Sequence, residues 1–215
     1  MDFLPEDIEA YAERFTTQEP PLLHELNRFT HTNVLQPRML AGHLQGRVIA
    51  MLSKMIDPDR VLEIGTYTGY SALCWAEGVS DGGRVDTIEL DDELEPKIQG
   101  FFDRSAYKEK IKLHIGNALD VIDGLDDMYD IVFMDADKVN YPNYLIKCFD
   151  KVNVGGYIIA DNVLWSGKVT LPLEEMDPDT KALFAYAEQV QRDDRLEQVL
   201  LPVRDGLLIA KKMST

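Results

Sequence analysis

The spacing of apolar positions changes character at residue 60. Before it, apolar residues recur at helical intervals, which predicts helices over Pro5–Phe15, Pro20–Phe29 and Pro37–Ile56. The third carries Leu40, Leu44, Val48, Met51, Leu52 and Met55 along one stripe, expected to be mostly core. From Arg60 onward, short apolar runs alternate with amphipathic ones. RVLEIG (60–65), GRVDTIEL (83–90), KIKLHIG (110–116), YDIVFMD (129–135) and GGYIIADN (155–162) read as strands. The stretches 68–79, 91–105, 117–125, 141–152 and 177–193 read as helices. The run 196–212 reads as two strands around Arg204-Asp205-Gly206, a turn of hairpin type.

Strand–helix alternation over this length implies an α/β fold. Its sheet is mostly parallel and covered on both faces, and the final hairpin adds an antiparallel strand. No repeat, low-complexity tract or linker interrupts the 215 residues, so one domain spanning 1–215 is expected. Ligands in such sheets bind beyond the carboxyl ends of the strands. The residues that follow each strand are therefore the candidates for chemistry.

After the first strand comes GTYTG, with Gly65 and Gly69 at a strand-to-helix turn. Glycine allows close backbone approach to a ligand, and the helix N-terminus behind it is mildly positive. The pair alone is equally compatible with a plain tight turn. The GxGxxG spacing of dinucleotide sites is missing, which argues against a nicotinamide-dependent oxidoreductase. Glu63 beside the turn would repel a pyrophosphate and favour a cationic ligand. Glu89 ends the second strand, where an acid can accept hydrogen bonds from ribose hydroxyls. A nucleoside without phosphate and with a positive group fits this set, and S-adenosylmethionine is such a molecule.

The strand YDIVFMD ends at Asp135, and YIIADN ends at Asp161 and Asn162. Adjacent tips would gather two carboxylates and an amide oxygen. This hard oxygen set suits Mg²⁺ better than zinc. The competing reading is that these residues cap turns. Lys138 follows Asp135 by three positions. Beside a cation its protonated form is disfavoured, which suits a general base, whereas most lysines are simply solvated.

Lys and Arg number 22 against 38 Asp and Glu, a net charge of −16. Such a surface repels phosphate backbones and argues against nucleic acid as a partner. No apolar run reaches the roughly 18 residues of a membrane span. The first fifteen residues lack the basic and apolar regions of a signal peptide. Cys74 and Cys148 form no CxxC pair and suit a reducing, cytoplasmic compartment.

EIGTYTGYSAL, MDADKVNY, ADNVLWSGKV and LPVRDGLLIAKK together resemble the cofactor motif, the two metal segments and the closing hairpin of the cation-dependent O-methyltransferases. The resemblance is closest to the caffeoyl-CoA-like branch with its small bacterial members. It extends from about Gln36 to the C-terminus, and catechol O-methyltransferases belong to the same group. It implies the Rossmann-like class I methyltransferase fold with a seven-stranded sheet, and S-adenosylmethionine as methyl donor. It further implies metal ligation by Asp135, Asp161 and Asn162, to Mg²⁺ or else Ca²⁺ or Mn²⁺. Lys138 and Asp135 match catalytic positions. Met39, Glu63, Gly65, Ser71, Glu89, Ala118, Asp135 and Asp137 match cofactor-contacting ones, with Asp137 near the methionine amine.

A small aromatic acceptor with vicinal hydroxyls and a homodimer are also implied, with residues 1–56 covering cofactor and acceptor. RMLAGHLQG departs from the serine- and threonine-rich stretch of the plant members, so Ala41 offers no hydroxyl. A methyltransferase of the same fold acting on RNA or protein is the alternative. His31 and His43, and the rings of Tyr141 and Trp165, are further candidates to touch an acceptor, against ordinary packing or solvation.

Overall fold

The computed structural model describes residues 5–215; part of the segment read as lacking a signal peptide lies outside them. Close contacts divide these residues into two units, Pro5–Ala118 and Leu119–Thr215.

The first unit begins with α1 (Glu6–Phe15), α2 (Pro21–Asn33) and α3 (Gly42–Ile56). It continues with β1 (Arg60–Ile64), α4 (Tyr70–Ala76), β2 (Arg84–Glu89), α5 (Glu95–Arg104) and β3 (Ile111–Ile115). The three strands lie parallel in the order β3-β2-β1, with Leu62 opposite Asp86 and Asp86 opposite Lys112. Their inward residues Val61, Ile64, Val85 and Ile88 are buried with Trp75 and Phe102.

Two expectations about α3 are corrected. The helix does not start at Pro37. Pro37–Met39 makes one 3₁₀ turn, Leu40 is extended, and Gly42 has φ of 74°, through which no right-handed helix can run. Nor is the apolar stripe the packed face, since Met51 and Met55 are 58% and 75% exposed. The buried face is Gln45, Gly46, Ile49, Ala50 and Ser53. Its small residues let α4 approach closely: a Cβ on Gly46 would meet the Tyr70 ring at 2.5 Å. The Ser53 hydroxyl donates to the Trp75 carbonyl at 2.6 Å, and Arg47 donates to both carboxylate oxygens of Glu77 at 3.1 and 2.6 Å. Spacing alone favoured the larger side chains.

The second unit holds most of α6 (Ala118–Asp123), then β4 (Tyr129–Met134), α7 (Tyr141–Phe149) and β5 (Val152–Asp161). The chain closes with α8 (Pro178–Arg192), β6 (Leu196–Leu201) and β7 (Leu207–Lys212). β4 and β5 are parallel, β5 and β7 antiparallel, and β6 is the outer strand of the closing hairpin. β5 starts three residues earlier than its glycines suggested, and a register irregularity opposite Tyr129–Ile131 accommodates them. The Lys212 ammonium is buried and donates to the carbonyls of Phe149 and Val152 at 2.8 and 2.9 Å, tying the end of α7 to β7.

Asp86 is an ionic group inside the first unit's sheet. It is fully buried and receives Arg84 Nε at 2.8 Å and His114 Nε2 at 2.7 Å. Burial pushes its carboxyl up, but the hydrogen bonds from His114 and Arg84 and the Arg84 charge prevail and hold it below the ordinary carboxylate value. A carboxyl lowered on folding contributes stability above its unfolded pKa, which is lost as pH falls through the folded value. Asp86→Asn should therefore lower the unfolding free energy at pH 7 by about 1–3 kcal/mol. Its deficit against the unaltered protein should shrink below about pH 4, where the unfolded carboxyl takes up its proton. Urea unfolding at a series of pH values reads this out, and a deficit constant with pH would refute the charge assignment.

Candidate active site

In the first unit, β1 ends at Ile64 and the chain turns through Gly65 (φ 101°) and Gly69 (φ 92°) into α4. The amides of Gly65 and Thr66 both donate to Ile88 O at 3.1 Å, so the loop begins as a continuation of the sheet. Gly69 is needed twice over: its φ is left-handed, and a Cβ would meet Phe102 at 2.6 Å. The loop's next contact is with Glu89 at the tip of β2. One carboxylate oxygen accepts the Tyr67 amide at 2.6 Å and the other the Asp91 amide at 2.9 Å. Burial raises the Glu89 carboxyl above its usual range.

Glu63 sits within β1 and is fully buried, with Thr87 Oγ1 donating to it at 2.5 Å and Thr66 Oγ1 paired with Thr87 Oγ1 at 2.6 Å. Ser71 is buried in the first turn of α4, and Ala118 opens α6 half-exposed. Met39 is 55% exposed on the 3₁₀ turn. No pattern in the sequence marks Tyr67 as reaching back to the residues after α2, where its hydroxyl donates to Leu35 O at 2.9 Å. Nor does any show that the buried hydroxyls of Thr30 and Thr68 pair at 3.0 Å.

In the second unit, the β4–β5 register sets Phe133 opposite Ile159 and Met134 opposite Ala160. Asp135 and Asp161 are the next residues on two strands about 4.8 Å apart. Asp161 is 2% exposed, and Asp135 is half-buried. Asn162 follows with φ of 60°, a left-handed conformation that asparagine tolerates better than most residues, and its amide donates to Asp161 Oδ1 at 2.7 Å. Lys138 is buried rather than solvated. Its ammonium donates to Asp135 Oδ1 at 2.9 Å and to the Tyr141 hydroxyl at 2.7 Å, over the Tyr141 ring.

The Tyr141 hydroxyl in turn faces Met134 O at 3.1 Å and Asp161 O at 3.0 Å, linking the ends of both strands. Burial, and then the charges of Asp135 and Asp161, push its pKa well above the usual value, so it stays a donor. Asp137 is exposed and accepts from Asn140 Nδ2 at 2.5 Å and from the Tyr144 hydroxyl.

Asp135, Asp161, Asn162 and Lys138 are thus brought together, while Asp137 projects to solvent beside them. Tyr141 cannot wall an acceptor, because its ring is fully buried. Trp165 is half-exposed, with the Lys138 ammonium 5.9 Å from its ring. His31 and His43 are held by backbone carbonyls, His31 Nδ1 at 3.0 Å from Asn27 O and His43 Nε2 at 2.8 Å from Thr17 O.

Among the described residues no three His, Cys, Asp or Glu side chains group as a metal site. A metal here would thus rely on the Asn162 amide to complete a hard oxygen set with Asp135 and Asp161. The donor chemistry fits a divalent cation, and the Lys138 ammonium already places positive charge against Asp135.

A family model described as O-methyltransferase matches residues 13–213. Caffeoyl-CoA O-methyltransferase 5 of Nicotiana tabacum is 32% identical over 210 residues, covering 92% of this chain and 86% of the relative. The caffeoyl-CoA O-methyltransferase of Petroselinum crispum is 33% identical with the same coverage. Among solved structures, the SAH-bound methyltransferase PaMTH1 of Podospora anserina matches with a TM-score of 0.90 at 27% identity over 100% of both chains. The O-methyltransferase of Bacillus cereus in complex with SAH matches at 0.89 and 25% identity, over 96% of this chain and 97% of that one.

The fold is the Rossmann-like class I methyltransferase fold, with a seven-stranded, mostly parallel sheet and an antiparallel C-terminal pair. The chain belongs to the cation-dependent O-methyltransferase family, in its caffeoyl-CoA O-methyltransferase type, and is an S-adenosylmethionine-dependent O-methyltransferase.

Tyr141→Phe removes one hydroxyl and leaves the ring in place. Two buried carbonyls and an ammonium each lose one hydrogen-bond partner, so the unfolding free energy should fall by about 1–3 kcal/mol in urea. A cost indistinguishable from zero would mean that the hydroxyl does not tie the strand ends.

Proposed function

We propose that this protein transfers the methyl group to one hydroxyl of a small aromatic acceptor with vicinal hydroxyls, and that it does so with a divalent metal. The observation that carries this reading is the convergence of Asp135, Asp161, Asn162 and Lys138 at the linked ends of β4 and β5. The relatives named for caffeoyl-CoA support a phenolic acceptor.

Asp135, Asp161 and Asn162 would hold the metal, Mg²⁺ before Ca²⁺ or Mn²⁺ on the hardness of the donors. When bound it supplies Lewis-acid stabilisation of a phenolate and a template for two neighbouring oxygens. Lys138, whose Nζ lies 2.9 Å from Asp135 Oδ1, would have to be the neutral amine to take the hydroxyl proton, and in this reading it serves as that base. Glu89 offers its carboxylate to ribose hydroxyls, and the exposed Asp137 offers charge to the donor's ammonium. Glu63, Gly65, Ser71, Ala118 and Met39 complete the donor's contacts in this reading, and Trp165 is the ring available to an aromatic acceptor. Holding both reactants in line would then supply much of the rate.

The chain would act as one catalytic domain. A homodimer is supported by apolar side chains left exposed in the first unit: Ile8, Tyr11 and Phe15 on α1, and Met51 and Met55 on α3. Free, buried Cys74 and Cys148 fit a reducing cytoplasm. No helix among the described residues is long and apolar enough to cross a membrane.

S-adenosylhomocysteine release from a panel of vicinal dihydroxy aromatics, with Mg²⁺ and then with EDTA, tests the reading. Product should depend on metal. Asp135→Ala should lower kcat/KM by at least about 100-fold, with S-adenosylhomocysteine binding retained in calorimetry. Equal turnover in EDTA would remove the metal from the mechanism.

A further inference from the structure

After Asn162 the chain runs through a segment that is costly to hold. Asn162, Trp165 and Ser166 have φ of 60°, 46° and 54°, in the left-handed region where residues other than glycine are strained. The strain is greater for a bulky ring than for asparagine. Three hydrogen bonds from the hairpin turn meet this segment. The Val163 amide donates to Gly206 O at 3.3 Å, the Leu164 amide to Asp205 O at 2.9 Å, and the Ser166 amide to the side chain of Asp205, Oδ1, at 2.6 Å.

Gly206 permits the approach: its φ is 91°, and a Cβ there would meet Leu164 Cγ at 2.5 Å. The Arg204-Asp205-Gly206 turn connects β6 to β7, and β7 is hydrogen-bonded to β5, with Leu207 opposite Asp161. The turn and the strained segment are thus two extensions of one paired register. Asp205 has no part in the donor set assigned above.

We propose that Asp205 is a positioning residue, whose carboxylate clamps the Asn162–Ser166 segment and so fixes the Asn162 amide and the Trp165 ring beside Lys138. Two of the three bonds come from backbone carbonyls that any residue supplies. The third needs a side-chain acceptor at position 205. Without it, the Ser166 amide loses its acceptor on Asp205, and the segment loosens from its C-terminal end toward Asn162. Burial raises the Asp205 carboxyl, while the Ser166 amide and then the charges of Lys138 and Arg204 draw it back. A purely electrostatic role toward Lys138 is therefore the competing explanation, and it calls for an uncharged acceptor as control.

The metal part of the inference rests on Asn162 being a ligand, as proposed above; the clamp itself does not. Asp205→Ala and Asp205→Asn serve as the variants, because asparagine keeps an acceptor oxygen and loses the charge. Amide hydrogen exchange by NMR, without metal, should show faster exchange at Leu164 and Ser166 in the alanine variant and near-original rates in the asparagine variant. Isothermal titration with Mg²⁺ and then Mn²⁺ should show affinity falling about 10-fold or more in the alanine variant and largely restored by asparagine. S-adenosylhomocysteine binding should be the same in all three proteins.

Unchanged exchange at Ser166 in the alanine variant overturns the clamp. So does an asparagine variant that behaves like alanine, which would assign the effect to charge. If the unaltered protein takes up no metal, the metal assignment fails separately, and the exchange rates still decide the clamp.

Discussion

The hydroxyl of Tyr141 is the group on which the geometry of the second unit's site depends. The β4–β5 ladder stops at Met134 and Ala160, and beyond it two strand ends carrying carboxylates would tend to separate. Tyr141 prevents this from the first turn of α7, where Pro142 sets the helical dihedral and the ring is buried edge-on against Tyr186 at 5.6 Å. Its one O–H is shared between the last carbonyl of β4 and the carbonyl of Asp161, while its oxygen accepts a hydrogen bond from the Lys138 ammonium. One oxygen therefore locates Asp135, Asp161 and Lys138 relative to one another.

That arrangement also explains why a lysine can be buried here. An ammonium inside a protein loses hydration that costs several kcal/mol to replace. Lys138 replaces it with the Asp135 carboxylate, the Tyr141 hydroxyl and the faces of two aromatic rings. Tyr141 keeps its proton because burial and the two carboxylates make ionisation costly, so the bridge holds as the surrounding charges change. A neutral, pH-insensitive donor is the group able to join two carbonyls beneath a cluster of charges.

The parallel strands of both units were legible in the sequence because each is a short apolar run closed by glycine or a carboxylate. Asp135, Asp161 and Asn162 could be grouped from the chain alone because parallel neighbours end together. The face of α3 was read wrongly, since its contact with α4 is made through Gly46, Ala50 and Ser53, where closeness counts for more than apolar volume. Tyr141 stood between a wall for an acceptor and ordinary packing, because its partners are backbone carbonyls 7 and 20 residues away and carry no sequence signal. The Arg204-Asp205-Gly206 turn was visible, but its target was not. Nothing in VLWS announces left-handed backbone at a tryptophan and a serine.

The loops after β1 and β5 both hold residues other than glycine in left-handed backbone, and they differ in what supports them. The loop after β1 turns on Gly65 and Gly69, for which a positive φ carries no steric cost, and on Tyr67 (φ 52°), whose amide is held by the Glu89 carboxylate. In the loop after β5 the left-handed residues are Asn162, Trp165 and Ser166. A glycine would supply neither the side-chain amide that the proposed metal site takes from position 162 nor an indole at 165. Asparagine is the cheaper of these, since its short polar side chain is tolerated there; tryptophan is not. The segment is therefore least self-supporting at its distal end, at Trp165 and Ser166. That is where an acceptor from another element is required, and where the side chain of Asp205 meets it.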